Sequence, residues 1–303
     1  MSSEFILNCD RIAIKNIFSM NKIISDKIEN KKIFMKNINI KEILGYFKSK
    51  KFDIAKKETA LLIKKFPNNH FLYNLFGAIL VGQKKLDEAV VYFEKSIQIS
   101  PNYADAYNNL AGVLAGQKKY NKTIEYLQKA IKINPNLAEA YYNLANAFSA
   151  LERYHESIEN YSKAIKINSQ YAKAYNNLGN VFRILNDFEN AINSYKKTIE
   201  IDPDLSDAYN KLGILYCDIG KVTDAKKCFE KVIKLKPDNI LYKINNALLL
   251  TPIYKSTKEI DEHRDKFIEV IDQIKKYKYS TEQPCNEIEL NFYYLAYHNK
   301  NNV

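Results

Sequence analysis

The sequence predicts an all-α solenoid of helix-turn-helix repeats. Three observations carry that prediction. Pro67, Pro101, Pro135, Pro203 and Pro237 lie on one 34-residue grid, with Ser169 at the grid point where proline is missing. Residues at equal offsets within the period match in size from one copy to the next. Within a copy, apolar residues recur at helical spacing, first Tyr107, Leu110, Ala111 and Leu114, then Tyr120, Ile124, Leu127 and Ile131. A sustained period of that length marks an array in which each repeat buries its apolar face against its neighbours.

Residues 1–35 mix Ile and Phe with Lys and Asn and show neither a helix cap nor a sustained apolar face, so an arm, disordered or capping, is expected there. A degenerate first repeat runs from Lys36 to Asn69, with Tyr46, Phe52 and Ala55 in places that later repeats fill more regularly. A terminal repeat has a neighbour on one side only, so its outer face turns polar and its pattern drifts.

Five regular repeats begin at His70, Ala104, Ala138, Ala172 and Ser206. Their fourth residue is always tyrosine: Tyr73, Tyr107, Tyr141, Tyr175 and Tyr209. The eighth is small (Gly77, Ala111, Ala145, Gly179, Gly213) and the twentieth small or nearly so (Ala89, Thr123, Ser157, Ala191, Ala225). The twenty-fourth is large (Phe93, Leu127, Tyr161, Tyr195, Phe229). Small residues let helices approach closely, and the large one is expected to fill the gap between adjacent repeats. Polar turns such as Gln117-Lys118-Lys119, Glu152-Arg153, Asn186-Asp187 and Gly220-Lys221 separate the two helices. Each second helix is expected to stop at the grid proline, with Asn102, Asn136, Asp204 or Asp238 after it helping to start the next.

A seventh repeat starts at Ile240 and loses the pattern after Leu250-Thr251-Pro252. Ser256-Thr257-Lys258-Glu259 then has the form of a capping box, and Ile260, Phe267, Ile268, Ile271 and Ile274 place apolar groups along a helix to about Tyr277. A polar linker, Ser280 to Pro284, precedes an aromatic strip from Asn291 to Asn302. The expected organisation is an arm over 1–35, a repeat array over 36–250 with about six copies and a partial seventh, a capping or linker helix over 251–279, and a lead-in segment over 280–303.

A formal charge of +11 raises the question of nucleic acid, yet only four of the 46 basic residues are arginine (Arg11, Arg153, Arg183, Arg264). Bidentate recognition of phosphate or guanine favours arginine, and lysines spread along helix faces read as solvated. No nucleic-acid partner is expected. Cys9, Cys217, Cys228 and Cys285 form no CxxC pair and no disulfide framework, which fits a reduced, cytoplasmic protein. Apolar runs such as Ala247 to Leu250 fall far short of the ~18 to 20 residues that cross a bilayer, so no membrane partner is expected. His70, His155, His263 and His298 are far apart, and no glycine-rich phosphate loop is present, so no metal, cofactor or catalytic set is assigned. The oligomeric state stays open.

The informative polar residues are asparagines. Asn109, Asn143 and Asn177 recur at the sixth position of the first helix, and Asn146 and Asn180 lie three residues further along the same face. Asp105, Glu139, Lys173 and Asp207, four residues before the sixth position, extend the stripe, and Lys211 takes the sixth position in the last regular repeat. The Tyr, Leu-Gly or Leu-Ala, Ala, Phe or Tyr, Pro pattern on this period resembles the tetratricopeptide repeat, strongly over 70–239 and more weakly over 36–69. That resemblance implies a right-handed superhelical solenoid whose first helices line a concave surface. A column of amides there offers each unit of an extended peptide both a donor and an acceptor. The expected function is a protein-interaction scaffold that binds protein or unstructured peptide segments in this groove. The alternative for the asparagines is that they bond neighbouring helices or water, or reflect the asparagine-rich composition.

The two-carboxylate clamp of chaperone-tail-binding members is not rebuilt here. Asn177 stands where a basic partner for Lys173 is needed, and Lys211 alone does not supply it. The asparagine ladder, the segment Leu249 to Tyr254 and the strip Phe292 to His298 together resemble bacterial SPINDLY-type protein O-linked N-acetylglucosamine transferases. In that family the repeats deliver protein acceptors to a two-lobed nucleotide-sugar domain. The resemblance implies an acceptor-recognition arm with that catalytic domain absent, so no catalytic residue is carried over.

Overall fold

A computed structural model describes residues 40–239 without interruption and, beyond them, Tyr242, Asn246, Asp265 and Ile268. The expected arm over 1–35, most of the seventh repeat, the capping-box helix and the aromatic strip lie outside the described residues. Twelve helices and no strand occupy what is described: α1 Ile40–Lys48, α2 Phe52–Lys65, α3 His70–Gly82, α4 Leu86–Ile99, α5 Ala104–Gly116, α6 Tyr120–Ile133, α7 Ala138–Ala150, α8 Tyr154–Ile167, α9 Ala172–Ile184, α10 Phe188–Ile201, α11 Ser206–Asp218 and α12 Val222–Leu235. The fold is an all-α repeat solenoid. Each regular repeat opens at the expected residue and pairs a 13-residue helix with a 14-residue partner.

The turn inside each repeat closes by one device. Lys50, Lys84, Lys118, Glu152 and Asn186 hold φ between 57° and 62°, and Gly220 holds 74°. The next N–H then reaches back five residues, as Lys119 does to the Leu114 carbonyl at 2.9 Å. This left-handed stop satisfies carbonyls that the helix end leaves open. A residue with a Cβ pays about 1 kcal/mol for it, and Gly220 does not.

The capping residues differ from the sequence reading. Tyr103, Leu137, Tyr171 and Leu205 occupy the N-cap positions, without a side-chain cap. Asn102, Asn136 and Asp204 sit one residue too early in the turn, and a cap must come from the last non-helical residue. Side-chain caps do occur at Asn69, which accepts from the Phe71 N–H at 3.1 Å, and at Asp187, which accepts from the Asn190 N–H at 3.3 Å.

The small and large positions meet within a repeat, not in a gap between repeats. A Cβ added to Gly77 would lie 2.7 Å from the Phe93 ring, one on Gly179 2.7 Å from Tyr195, and one on Gly213 2.7 Å from Phe229. Each ring therefore lies flat on the backbone of its own first helix.

The helices form two blocks that divide between Ser169 and Gln170, at the grid point without proline. In the first block each second helix packs on the next first helix, and first helices of successive repeats also touch, α3 with α5 and α5 with α7. No comparable contact joins α4 to α6 or α6 to α8 among the described residues. The stack is tighter on the side of its first helices, so α3, α5 and α7 line the inner face of this block. Its core runs from Ile43, Leu44 and Phe47 through Leu75, Ile79 and Phe93 to Leu110 and Leu114, with a second cluster around Leu127, Leu144 and Phe148. The second block packs α9 to α12 around Tyr195, Leu212, Leu215 and Phe229. No described helix is long and apolar enough to cross a membrane.

Candidate functional site

On α5, Asp105, Asn109, Gly112 and Gly116 follow one another at helical spacing and share one face. The asparagines of that face are less exposed than a binding column requires. Asn109 is 9% exposed and Asn143 6% exposed. Both donate backwards across the helix stack: Asn109 Nδ2 to Asn74 Oδ1 at 3.0 Å, and Asn143 Nδ2 to Asn108 Oδ1 at 2.9 Å. Each rung thus joins the sixth position of one repeat to the fifth position of the repeat before. Bonding to the neighbouring helix, the alternative left open by the sequence, describes these amide nitrogens. Their Oδ1 atoms make no hydrogen bond among the described residues, so each rung keeps one acceptor without a protein partner.

The first rung continues into a polar chain. Asn74 Nδ2 donates to the Tyr103 hydroxyl at 3.5 Å, and that hydroxyl donates to the Asp105 carboxylate. Burial pushes the Asp105 carboxyl up to about 6, against the lowering effect of the Tyr103 hydrogen bond. Burial, and then the Asp105 charge, raise the Tyr103 phenol well above its ordinary value. At the second rung the residue equivalent to Tyr103 is Leu137, which has no hydroxyl. Asn108 is fully buried, and its Nδ2 is left without an acceptor.

The remaining candidates have other employment. The Asn146 Oδ1 accepts from the Tyr161 hydroxyl, and the Asn180 Oδ1 accepts from the Tyr195 hydroxyl at 2.8 Å. These two asparagines fasten the large residue of a repeat to its first helix. In the second block, Asp207 Oδ2 accepts from Lys211 Nζ at 2.7 Å and from Asn176 Nδ2 at 3.1 Å, so the Lys211 charge is compensated locally. Lys173 and Asn177 sit half-buried on α9.

The structure therefore brings Asp105, Asn109 and Asn143 together on one face, and it adds Asn74, Asn108 and Tyr103, which the sequence reading passed over. A signal for the additions was present. Asn74, Asn108, Asn176 and Asn210 fall on the same 34-residue period, one position before the column that was singled out. Asn146 and Asn180 also carried a signal, since the two repeats with asparagine at the ninth position are the two with tyrosine at the twenty-fourth.

Comparison with known proteins agrees with this architecture. The tetratricopeptide repeat family matches residues 102–170, 136–204 and 206–239, and a further description of the same repeat matches residues 77–118. No curated protein matches the chain in sequence. Among solved structures, MamA shares 29% identity over 53% of this chain and 94% of its own, with a TM-score of 0.50. The pilF protein of Pseudomonas aeruginosa shares 17% identity over 76% of this chain and 97% of its own, with a TM-score of 0.61. A thermophilic repeat protein of Thermus thermophilus shares 21% identity over 60% of this chain and all of its own, with a TM-score of 0.50. At the identities of the last two, the likeness is one of fold.

Proposed function

Residues 77–239 belong to the tetratricopeptide repeat family, and from that premise we propose that the chain is a cytoplasmic interaction scaffold that binds extended polypeptide segments on the inner face of its first helices. The observation that carries this reading is the pair of rungs at Asn109 and Asn143. Each amide is held by the preceding helix through its nitrogen, and its oxygen keeps acceptor capacity for a bound segment. An extended peptide can donate main-chain N–H groups to such oxygens whatever its side chains. Neighbouring helices lie about 8 to 10 Å apart and an extended chain advances about 3.3 Å per residue, so one rung serves about every third residue. Pre-organisation matters here, because an amide already fixed by the fold loses no further rotamer freedom on binding.

Gly116 provides a test that leaves the fold alone. It shares the face of Asn109, and a Cβ there would meet nothing within 4 Å. Gly116→Phe is expected to obstruct the groove, abolishing capture of fluorescein-labelled unstructured peptides in anisotropy titrations without lowering the melting temperature. Wild-type chain that binds none of the peptides overturns the proposal.

A finer version makes this groove the acceptor-recognition arm of a protein O-linked glycosyltransferase, with catalysis supplied by a separate nucleotide-sugar domain. It rests on the sequence resemblance carried by the asparagine column and the segments Leu249 to Tyr254 and Phe292 to His298. That version expects a sugar-nucleotide-binding protein to co-purify with the chain and the chain alone to transfer no sugar; peptide capture without such a protein supports the scaffold alone.

A further inference from the structure

We propose that the chain ahead of Ile40 docks on the outer end of the first block, against the exposed side of α2, and caps the solenoid there. The first repeat departs from the polar outer face expected of a terminal repeat. Ile54 is 44% exposed and Leu61 52% exposed. Their counterparts in the five regular repeats are all polar. Leu61 corresponds to lysine every time, from Lys95 to Lys231, and Ile54 to Glu, Lys, Glu, Asn and Asp in turn, from Glu88 to Asp224. Of these six repeats, the first alone is apolar at both places.

The interior of the block shows what that side of a second helix faces. Asp87, Val90 and Glu94 of α4 and Lys122 and Tyr126 of α6 line one cavity, so these two α6 residues look back toward the preceding second helix. Lys129 Nζ lies over the Tyr126 ring, 5.2 Å from its centroid, and belongs to the same side. Two periods earlier, Lys122, Tyr126 and Lys129 become Ile54, Glu58 and Leu61. The exposed stripe on α2 is therefore a stacking side, turned toward the place of a preceding helix and apolar where the interior ones are charged. Among the described residues α1 and α3 pack on α2, and neither covers this side. A solenoid end with an apolar stacking side needs a cap to stay soluble.

Residues 1–39 are placed to supply it. They join the array at Ile40, the first residue of α1 in this same repeat, so they are tethered beside the stripe at an effective concentration in the millimolar range. Ile54 and Leu61 are seven residues apart, two helical turns or about 10.5 Å. The sequence ahead of α1 sustains no apolar face along its length, but a cap over this stripe needs only two turns, and Ile17, Met20 and Ile24 repeat the same spacing. The 15 residues between Ile24 and Ile40 bridge up to about 50 Å when extended, ample for the return. A second copy fits the stripe less well. Laid antiparallel, with Ile54 of one copy on Leu61 of the other, it sets Lys50 and Lys51 opposite Lys65 and Lys64 at both ends, and such like-charge meetings disfavour a partner.

Limited trypsin digestion of the native full chain, read by mass spectrometry at Lys22 and Lys27 on either side of Ile24, tests the docking. A segment docked about nine-tenths of the time is cut about tenfold more slowly than a free one. Two double variants each remove one partner: Ile54→Gln with Leu61→Gln, and Ile17→Gln with Ile24→Gln. The first puts polar residues where every regular repeat already has them, and the second lies ahead of the array, so both are expected to keep a cooperative thermal transition. Both are expected to be cut after Lys22 and Lys27 about tenfold faster than the wild type, at a wild-type rate that does not change with protein concentration. Cleavage of the wild type as fast as of the variants, or protection that survives either pair of substitutions, overturns the proposal. Protection that is lost when the wild type is diluted places a second copy on the stripe and overturns it as well.

Discussion

Asn143 donates its side-chain amide to Asn108 Oδ1 at 2.9 Å, linking two first helices 35 residues apart in sequence, with both residues buried. The bond converts polar side chains into part of the stacking interface. Their removal is therefore a stability experiment as well as a binding one.

Asn143→Ala is expected to destabilise the chain by about 1 to 3 kcal/mol, because Asn108 is then left with a buried oxygen as well as a buried nitrogen lacking partners. Replacing both asparagines with apolar residues should cost less than the sum of the single changes. A double-mutant cycle in urea measures the difference; simple additivity would show that the bond is not coupling the helices.

Gly179→Ala places a Cβ where the Tyr195 ring lies 2.7 Å away, and the ring is held by Asn180 at 2.8 Å. Overpacking of this kind costs about 1 to 3 kcal/mol, and thermal unfolding of the variant is expected to show it. Tyr195→Phe keeps the ring and loses the bond to Asn180, for a cost of about 1 kcal/mol.

Lys118 holds φ at 59° in the turn between α5 and α6. Lys118→Gly is expected to stabilise the chain by about 0.5 to 1 kcal/mol, since the left-handed backbone penalises a Cβ by more than glycine loses in unfolded-state entropy. Gly220, at φ 74° in the equivalent turn, is the position where the reverse change, Gly220→Ala, should destabilise.

Asp105 titrates near 6 when folded because burial disfavours its charge. Its folded pKa is raised, so the folded state binds the proton more tightly than the unfolded state does. Stability on its account is greatest below the ordinary carboxylate range near 4 and falls as pH rises to about 6. Asp105→Asn should flatten that part of the pH–stability profile. Tyr103 faces it directly and links it to Asn74, and the His70 ring packs on Tyr103 with ring centroids 4.7 Å apart.

Cys217 on α11 and Cys228 on α12 have thiols pushed up to about 12 and about 11, chiefly by burial. Little thiolate exists at neutral pH, so both are expected to resist iodoacetamide in the folded chain at pH 7.5 and to react at ordinary rates in urea. Rapid labelling of the native chain would contradict the burial.

The repeat boundaries were legible in the amino-acid order, though the capping residues and the meeting of small and large positions within one repeat were not. Helix starts at His70, Ala104, Ala138, Ala172 and Ser206, the positions of the turns, and the recurrence of small and large residues all follow from local periodicity, because each is decided inside about 30 residues of chain. The same periodicity marked the face on which Asn109 and Asn143 lie. What those amides do was settled by the stacking of one repeat on the next. Whether a side chain of one helix meets the fifth or the sixth residue of the next depends on how the two helices slide and rotate as their apolar faces interlock, and a shift of one residue turns a side chain by about 100°. That stagger pairs Asn109 with Asn74 and Asn143 with Asn108. It also leaves the Asn108 nitrogen as the donor still in need of a partner.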